Sequence, residues 1–491
     1  MSVTSGFFCL ASALQQGRGG RADGGGVRYG FAYAVALVLL HEKCLELFTD
    51  GRVQQRRVAK QRPVHGHDHR AVAVFRAVGQ KDDGRDVCDD RFRRAAEHAL
   101  NDHGGGLAVG IRRIAQRRDG AAVRVRAEGV RIGVAHIDSP RLDLKPRPLY
   151  EEGEQCFLKT HYYGGIKKYQ WTAIPLALHG TIIRKDGSSL SVAIGEEEGD
   201  PVFCVTDLLP HLAADQMKKS LAEGIEGERL NILIGSAALR DDTGSEKVKV
   251  AIAKLLFEKY GIVEEDFLSA ELCAVPAFKA RDLGLDRSMI GAYGHDDRVC
   301  AYPILMAEID EKSPEYTSVT ILADKEETGS NGPTGMNSYF LKDFIEDLAD
   351  MAGCKVRHVA ANSHCFSADV NAAFDPIYGE VHERRNASYI NYGVVVTKYT
   401  GARGKAGTND ATAEMMGFAR RILDAEHVGW QTGELGKVDQ GGGGTVAMYV
   451  SQHNIDTVDL GVPVLSMHAP FEVVAKADVY MTYRAMRAFY K

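Results

Sequence analysis

Long apolar runs and a strong excess of one charge are both missing from this sequence. The longest apolar run, at positions 31–40, is about half of the ~20 residues that a membrane-spanning helix needs. A net charge of −6 argues against a dedicated nucleic-acid-binding protein, since such proteins are usually basic. With 45% apolar residues and only 14 prolines in 491 residues, the composition excludes a largely disordered or collagen-like chain. We therefore expect a globular protein with neither a membrane nor a nucleic-acid partner.

Paired cysteine spacing is also missing. The nine cysteines are scattered, and no two of them form a C-x-x-C pair. Because nine is an odd number and the C-x-x-C spacing is missing, we expect neither a disulfide framework nor a thiolate zinc site. The first residues, MSVTSGFFCLASALQQ, lack the positive segment with which a secretory signal begins. These features are typical of a cytoplasmic protein.

The chain has two parts of unlike composition. Residues 1–130 contain 19 Arg and 3 Lys, whereas residues 131–491 contain 17 Arg and 21 Lys. The first part is open to three interpretations: a basic binding arm, an ordinary Arg-rich domain, or a stretch read in the wrong frame and joined to a genuine coding region. Acidic residues between 82 and 90 dilute the charge of an arm, and the abrupt switch favours the third interpretation. We therefore treat residues 1–126 as an anomalous segment that is mis-framed or disordered.

The rest of the chain alternates in the manner of an α/β protein. Patterning predicts strands at 130–137, 181–194, 201–209, 316–323, 387–397 and 457–466, and helices at 211–224, 246–260, 338–352, 411–426 and 471–490. Gly261 is expected to end the second helix, and Asn409 or Asp410 to cap the fourth. Strand and helix alternate over 287–491, which predicts an α/β sandwich, and about 150–285 looks like a separate inserted β-rich unit.

Candidate metal ligands follow several of the predicted strands. His136 and Asp138 lie two residues apart at a strand end and so point to one face, where the carboxylate can orient the imidazole. Glu326 and Glu327 follow another strand, at the edge where α/β active sites lie; one can bind a metal while its neighbour acts as general base. One of the two adjacent carboxylates in GHDDR, Asp296 or Asp297, can bridge two metals. Each motif taken alone is more typical of a solvated turn or surface charge.

Two further residues complete a donor set. Asp369 lies among small residues in SADV, and a histidine, His468, follows an apolar strand. Two zinc ions that share an aspartate need about two imidazoles and three carboxylates, and such N/O ligands suit catalytic sites. The candidate set consists of His136, Asp296, Glu327, Asp369 and His468.

A run of four glycines begins at position 441. It lacks the lysine of a phosphate-binding loop and the G-x-G-x-x-G spacing, so we exclude nucleotide binding. Glycines such as Gly442 and Gly443 would let backbone N–H groups approach a substrate carbonyl.

Seven motifs together resemble a known family. In order they are HIDSPRLDLKP, YYGGIKKYQW, TDLLPHL, GHDDR, DKEETGS, SADVNAAFDPIY and SMHAPFE. Over about residues 127–491 the chain is similar to the aspartyl-aminopeptidase-like two-zinc metallopeptidases. The resemblance implies a three-layer α/β catalytic domain at 127–149 and 286–491, interrupted by a β-rich dimerisation domain at 150–285. It also implies a homo-oligomer, a dodecamer whose active sites face an inner chamber that admits peptides.

The resemblance also implies roles for the candidate residues. His136, Asp296, Glu327, Asp369 and His468 would hold two zinc ions, with Asp296 between them. Glu326 would be the general base and Asp138 the residue that orients the site. Manganese and cobalt accept the same ligands. Lys398, Arg403 and Lys405 would attract an acidic side chain at the first residue of the substrate, although a basic solvated loop is an equal explanation.

Four functions stay open at this point. The first is a metal-dependent aminopeptidase, and the second is another two-zinc amidohydrolase, such as a deacylase or a carboxypeptidase. The third is a non-catalytic assembly protein, whose mark would be the loss of Glu326 or of a ligand. None of these residues is missing. The fourth, a basic nucleic-acid binder through residues 51–126, rests only on charge.

Overall fold

A computed structural model of the chain describes residues 128–491, except 241–243 and 312–313. It also gives the backbone of two short strands, β1 (Phe75–Arg76) and β2 (Ala108–Arg112). The other predictions for residues 1–126 lie outside the described residues. The described chain forms two compact units: a smaller one of 140–280 with 468–470, and a larger one of 128–139, 281–467 and 471–491 with the two short strands.

The further strands and the helices are as follows. The strands are β3 (Arg131–His136), β4 (Arg141–Glu152), β5 (Gln155–Tyr163), β6 (Leu176–Ile183), β7 (Ser189–Ile194), β8 (Cys204–Val205), β9 (Ile232–Gly235), β10 (Ala270–Pro276), β11 (Arg281–Leu283), β12 (Met289–Ala292), β13 (Ser318–Ala323), β14 (His364–Ser367), β15 (Asn371–Ala372), β16 (Val394–Thr397), β17 (Trp430–Thr432), β18 (Asp456–Gly461), β19 (Pro463–Leu465) and β20 (Glu472–Ala475). The α-helices are α1 (Leu221–Gly224), α2 (Lys247–Tyr260), α3 (His295–Asp310), α4 (Phe340–Met351), α5 (Val356–Ala361), α6 (Ala413–Ala425), α7 (Ala447–Ser451) and α8 (Lys476–Tyr490).

The larger unit contains an eight-stranded sheet in the order β1-β2-β13-β3-β14-β18-β16-β17. Strands β13, β3, β14 and β18 are mutually parallel. The side chains of β13 and nearly all those of β3 are buried, as expected of parallel strands covered on both faces. Helices α3 and α8 pack together beside the sheet, and Gly133 makes room for α8, since a Cβ there would lie 1.9 Å from the Tyr490 hydroxyl. The predicted α/β architecture is confirmed.

A second, five-stranded sheet in the larger unit has the order β11-β12-β20-β19-β15. Strand β20 pairs antiparallel with β12, so that Glu472 lies opposite Ala292. This sheet therefore connects the start of α3 with the last strands of the chain.

The smaller unit is built on a seven-stranded sheet in the order β7-β6-β10-β4-β5-β9-β8, with every pair antiparallel. Helix α2 ends at Gly261, which adopts the left-handed conformation (φ 66°) that glycine favours, as predicted. The predicted role of this unit in dimerisation stays a prediction.

Several predicted elements differ from the structure. Residues 211–224 form 3₁₀ turns and the one-turn α1 instead of a long helix, because none of the residues in these short elements is buried to support one. The strand expected at 387–397 is confined to β16, since Asn391 (φ 67°) and Gly393 (φ 92°) cannot extend it. The 201–209 strand is only the two residues of β8.

Two helix starts were also predicted wrongly. Helix α6 is capped by Thr412, whose side chain accepts a hydrogen bond from the Met415 amide at 3.1 Å, and not by Asn409 or Asp410. The helix predicted from 471 starts later, because the β-branched pair Val473 and Val474 first forms β20. Within the described part of the chain, no helix combines the length and apolar character of a membrane span.

Candidate metal centre

The parallel strands bring four of the candidate residues to one edge of the eight-stranded sheet. His136 is the last residue of β3, Glu326 and Glu327 follow β13, and Asp369 follows β14. Because these three strands are neighbours and parallel, their carboxyl ends meet at the same edge. Asp296 reaches this group from the first turn of α3.

The imidazole of His136 is the centre of this group. Its Nε2 lies 3.0 Å from Asp296 Oδ1, and 3.8 Å from both Glu326 Oε2 and Asp369 Oδ1. On the other side of the ring, Nδ1 donates to the carbonyl oxygen of Asp138 at 3.0 Å, with the Asp138 carboxylate at 3.3 Å. The ring is thus oriented by Nδ1 and presents Nε2 to the carboxylates, which is the arrangement that a metal-binding histidine needs.

Asp138 has a second task. Its Oδ1 accepts a hydrogen bond from the Glu326 amide at 3.2 Å, and its Oδ2 accepts one from the Glu327 amide at 3.1 Å. The two glutamates lie on a 3₁₀ turn. The residues that flank this turn, Lys325 and Gly329, both have positive φ. A single buried carboxylate therefore contacts both the glutamate turn and the histidine ring. The role of Asp138 in orienting the site stays a prediction.

The site concentrates negative charge away from water. Asp296 and Asp297 are almost fully buried. Burial raises the pKa of Asp369 well above its usual range, and the carboxylates of Asp297 and Glu326 raise it further. Burial lowers the pKa of His136, but hydrogen bonds to Asp138 and Asp296 outweigh it and hold that pKa well above normal. Such a cluster is best compensated by bound cations.

The donor geometry fits metal ions. One ligand atom each from His136, Asp296 and Asp369 lies within 4.8 Å of the others. A carboxylate oxygen of Asp296 also lies within 4.8 Å of one from Glu327. Asp296 therefore belongs to two groups of donors, as a shared ligand would. Imidazole and carboxylate donors without thiolate suit zinc in a catalytic site, and manganese or cobalt as well.

His468 is described with the smaller unit, in the segment 468–470. Its Nδ1 donates to the carbonyl oxygen of Gly165 at 2.7 Å, which directs Nε2 the other way. This is the same ring arrangement as that of His136. Its assignment as a metal ligand stays a prediction.

Two of the three basic residues predicted to bind substrate form ion pairs within their own loop. Lys398 and Lys405 both form ion pairs with Asp410, the second at 2.9 Å. Ser367 of β14 and Thr397 of β16 both pair with Asp459 of β18, so they lie at the same level of the sheet. Strand β14 is parallel to β18 and β16 is antiparallel to it, so β16 and β14 have opposite directions. Lys398 therefore continues away from the strand end that carries Asp369. Arg403 lies exposed in the same loop.

The glycine loop is packed closely against its own neighbourhood. Gly443 donates its amide to the Thr400 carbonyl at 2.9 Å. At Gly442, with φ 113°, a Cβ would lie 2.5 Å from the Ala402 Cα. Close backbone packing explains the glycine at 442, and the Gly443 amide is already used within the protein.

Three buried residues beside the cluster make contacts that the sequence analysis did not predict. Asp297 accepts a hydrogen bond from the His136 amide at 3.3 Å, and Ser139 and Glu472 bind the backbone of Asp296. Asp297 is the second aspartate of GHDDR, Ser139 follows the H-x-D pair, and Glu472 ends SMHAPFE. Only their membership of these motifs could have pointed to them, because the residues to which they hydrogen-bond are distant in sequence.

An α/β sheet whose parallel strands carry an imidazole and carboxylate cluster at their carboxyl ends is typical of a metal-dependent enzyme. The profile of the family Aminopeptidase I zinc metalloprotease (M18) matches residues 121–490. The chain belongs to this family and is a metal-dependent aminopeptidase. The match begins at residue 121, so it leaves residues 1–120 uncovered.

Relatives agree with this assignment. The chain is 53% identical over 365 residues to a probable M18 family aminopeptidase 1 of Clostridium acetobutylicum, which covers 74% of this chain and 78% of the relative. The crystal structure of aminopeptidase I from that organism matches with a TM-score of 0.71 at 51% identity, covering 74% and 80% of the two chains. These relatives favour an aminopeptidase over a deacylase, a carboxypeptidase or a non-catalytic protein.

Two more distant structures share the fold. An M18 family aminopeptidase of Thermotoga maritima matches with a TM-score of 0.73 at 42% identity, over 82% of this chain and 91% of that one. The mApe1 dodecamer of S. cerevisiae matches with a TM-score of 0.60 at 19% identity, over 84% and 89%. At this identity the second match concerns the fold alone.

The Asp138→Asn variant tests the role of the shared carboxylate. An asparagine keeps one acceptor oxygen, so the amide of Glu326 or of Glu327 loses its partner, and we expect kcat/KM to fall about 10–100-fold. Steady-state hydrolysis of Leu-p-nitroanilide with zinc added measures this change. The matched control is Asp350→Asn, at an exposed position on α4, which should behave like the wild type. Equal activity of the two variants would contradict the assignment.

Proposed function

We propose that the chain removes amino-terminal residues from peptides with two metal ions, most simply zinc, that share Asp296. His136 and Asp369 complete one donor set, Glu327 belongs to the other, and His468 is the remaining ligand that the family resemblance implies. The observation that carries the proposal is that Asp296 lies within 4.8 Å of donors from both His136 and Asp369 and, separately, of the Glu327 carboxylate. Manganese or cobalt would fit the same oxygen and nitrogen donors.

Glu326 is the proposed general base. Bound metals supply an acidified water and a polarised substrate carbonyl in sites of this kind. Glu326 Oε2 lies 3.8 Å from His136 Nε2, beside the ligands, and the side chain is 17% exposed. This position supports a role in which its carboxylate takes a proton at the cluster and passes it to the leaving amine. The bond from its own amide to Asp138 holds it there.

A preference for an acidic first residue is a finer proposal. Lys398, Lys405 and Arg403 carry three positive charges on one loop, and Asp410 balances one of them. The remaining positive charge supports attraction of an acidic side chain, which long-range electrostatics can provide without direct contact.

We also propose that the chain assembles into a homo-oligomer in the cytoplasm through its smaller unit, and that residues 1–126 outside β1 and β2 are an anomalous, mis-framed segment. Leu212, Met217 and Leu221 are 65–73% exposed in that unit, and clustered exposed apolar side chains are typical of interfaces. A yeast relative forms a dodecamer, which is the assembly we propose here. The six cysteines of the described region form no disulfide, which suits a reducing compartment.

The proposed assembly predicts that substitutions in the smaller unit lower the molar mass of the protein in solution. Replacing Leu212 and Met217 by Asp should split the oligomer into smaller species, because the apolar contacts would be lost and like charges brought together. Light scattering on the full chain measures it. The control is Ile377→Asp, at an equally exposed position of the larger unit (78%). A wild-type chain that is monomeric at micromolar concentration would contradict the proposal.

The proposed base is tested by Glu326→Gln. We expect kcat to fall about 10²–10⁴-fold, because the amide cannot accept the proton, while the metal content stays at the wild-type level. Leu-p-nitroanilide hydrolysis and metal analysis give the two values. Glu346→Gln, on the exposed face of α4, is the matched control. Retained turnover in Glu326→Gln would refute this role.

The acidic preference is tested by replacing Lys398, Arg403 and Lys405 with Ala together. If the loop attracts acidic side chains, the ratio of kcat/KM for Glu- over Leu-p-nitroanilide should fall severalfold, and added salt should reduce the same ratio in the wild type. An unchanged ratio would contradict the proposal and leave the loop as a solvated basic segment.

A further inference from the structure

The backbone at Asp296 is not fixed by the helix in which it begins. Asp296 (φ −77°, ψ 106°) and Asp297 (φ −117°, ψ 21°) both have non-helical dihedral angles, and the regular turns of α3 start after them. The repeating hydrogen bonds of a helix therefore do not determine where the Asp296 carboxylate lies. Another set of contacts must hold it.

Two buried side chains bind the backbone of Asp296 from opposite sides. Glu472 Oε2 accepts a hydrogen bond from the Asp296 amide at 3.1 Å. The Ser139 hydroxyl donates one to the Asp296 carbonyl oxygen at 2.7 Å. Ser139 and Glu472 are each 1% exposed. Water therefore does not compete for these bonds, and both polar groups of the Asp296 peptide backbone are satisfied.

The fold explains how these two side chains come to Asp296. Glu472 starts β20 and lies opposite Ala292, the last residue of β12, from which the chain passes directly to Asp296. Ser139 follows β3, the strand that ends in His136. The clamp thus ties Asp296 to the eight-stranded sheet through Ser139 and to the five-stranded sheet through Glu472.

We propose that Ser139 and Glu472 are positioning residues that clamp Asp296 so that its carboxylate can serve two metals at once. The inference rests on the proposed function, in which Asp296 is the shared ligand. A shared ligand has less tolerance for displacement than a terminal one, because a shift toward one metal is a shift away from the other. Residues that orient ligands from behind commonly change metal affinity or activity 10–100-fold when they are replaced.

The experiment compares Glu472→Ala, Glu472→Gln and Ser139→Ala in the full chain. For each we would measure the dissociation constants for Zn²⁺ by competition with a fluorescent chelator, kcat and KM for Leu-p-nitroanilide, and thermal unfolding of the metal-free protein. The matched control is Asp282→Asn, which removes a carboxylate from β11 of the same five-stranded sheet, where it pairs with Lys476 and Arg287.

We expect Glu472→Ala to weaken Zn²⁺ binding about 10–100-fold and to lower kcat more than it changes KM. Ser139→Ala should weaken binding severalfold. Glu472→Gln should keep a Zn²⁺ affinity and a kcat close to those of the wild type, since its amide oxygen can still accept the Asp296 N–H. Because this variant has lost the negative charge, its result separates a clamp from a general need for that charge. Asp282→Asn should bind Zn²⁺ as the wild type does.

Two results would overturn the inference. One is wild-type Zn²⁺ affinity and kcat in both Glu472→Ala and Ser139→Ala. The other is a Glu472→Gln variant as impaired as Glu472→Ala while its metal-free form melts normally. If Glu472→Ala fails to fold, Ser139→Ala and Glu472→Gln still decide the question. A wild-type chain that binds two Zn²⁺ ions without hydrolysing any substrate would refute the proposed function, whereas the Zn²⁺ affinities would still test the clamp.

Discussion

The carboxylate of Asp138 is the contact on which the rest of the site depends. It lies against the His136 ring and accepts the amides of Glu326 and Glu327, so that one buried group sets the histidine and both glutamates. These residues come from the ends of two neighbouring strands, β3 and β13. Because the strands are parallel neighbours, their carboxyl ends lie side by side. The orientation of the site is thus a direct consequence of the sheet.

Electrostatics sets the second constraint. Asp296, Asp297 and Asp369 lie with Glu326 around one imidazole, and most of this charge is shielded from water. Carboxylates gathered in this way repel one another, and burial disfavours their ionised forms, so the free energy of the ionised cluster is high without a cation. Two divalent ions would lower it. The carboxylate repulsion that destabilises the metal-free protein is therefore also the source of its affinity for metal ions.

Much of the fold and of the candidate site could be predicted from the sequence. The strands β3 and β13 are short apolar runs, and the residues that follow them stand where an α/β protein carries its chemistry, so His136, Asp138, Glu326 and Glu327 were found by position. Helix α3 was not predicted, because its first residues read as a charged turn. The clamp at Asp296 was missed because Ser139 and Glu472 lie 157 and 176 positions away from it. Contacts over such separations depend on the pairing of β12 with β20, which local patterns do not reveal.

The most direct test of the central claim is a metal titration of the full chain. The protein would be stripped by chelator, and Zn²⁺ added back while bound metal and Leu-p-nitroanilide hydrolysis are followed together. The account predicts no hydrolysis by the metal-free protein, and activity that rises to a plateau at two bound ions per chain. A folded chain that hydrolyses the substrate equally well in excess chelator, or that binds no Zn²⁺ at this cluster, would contradict it.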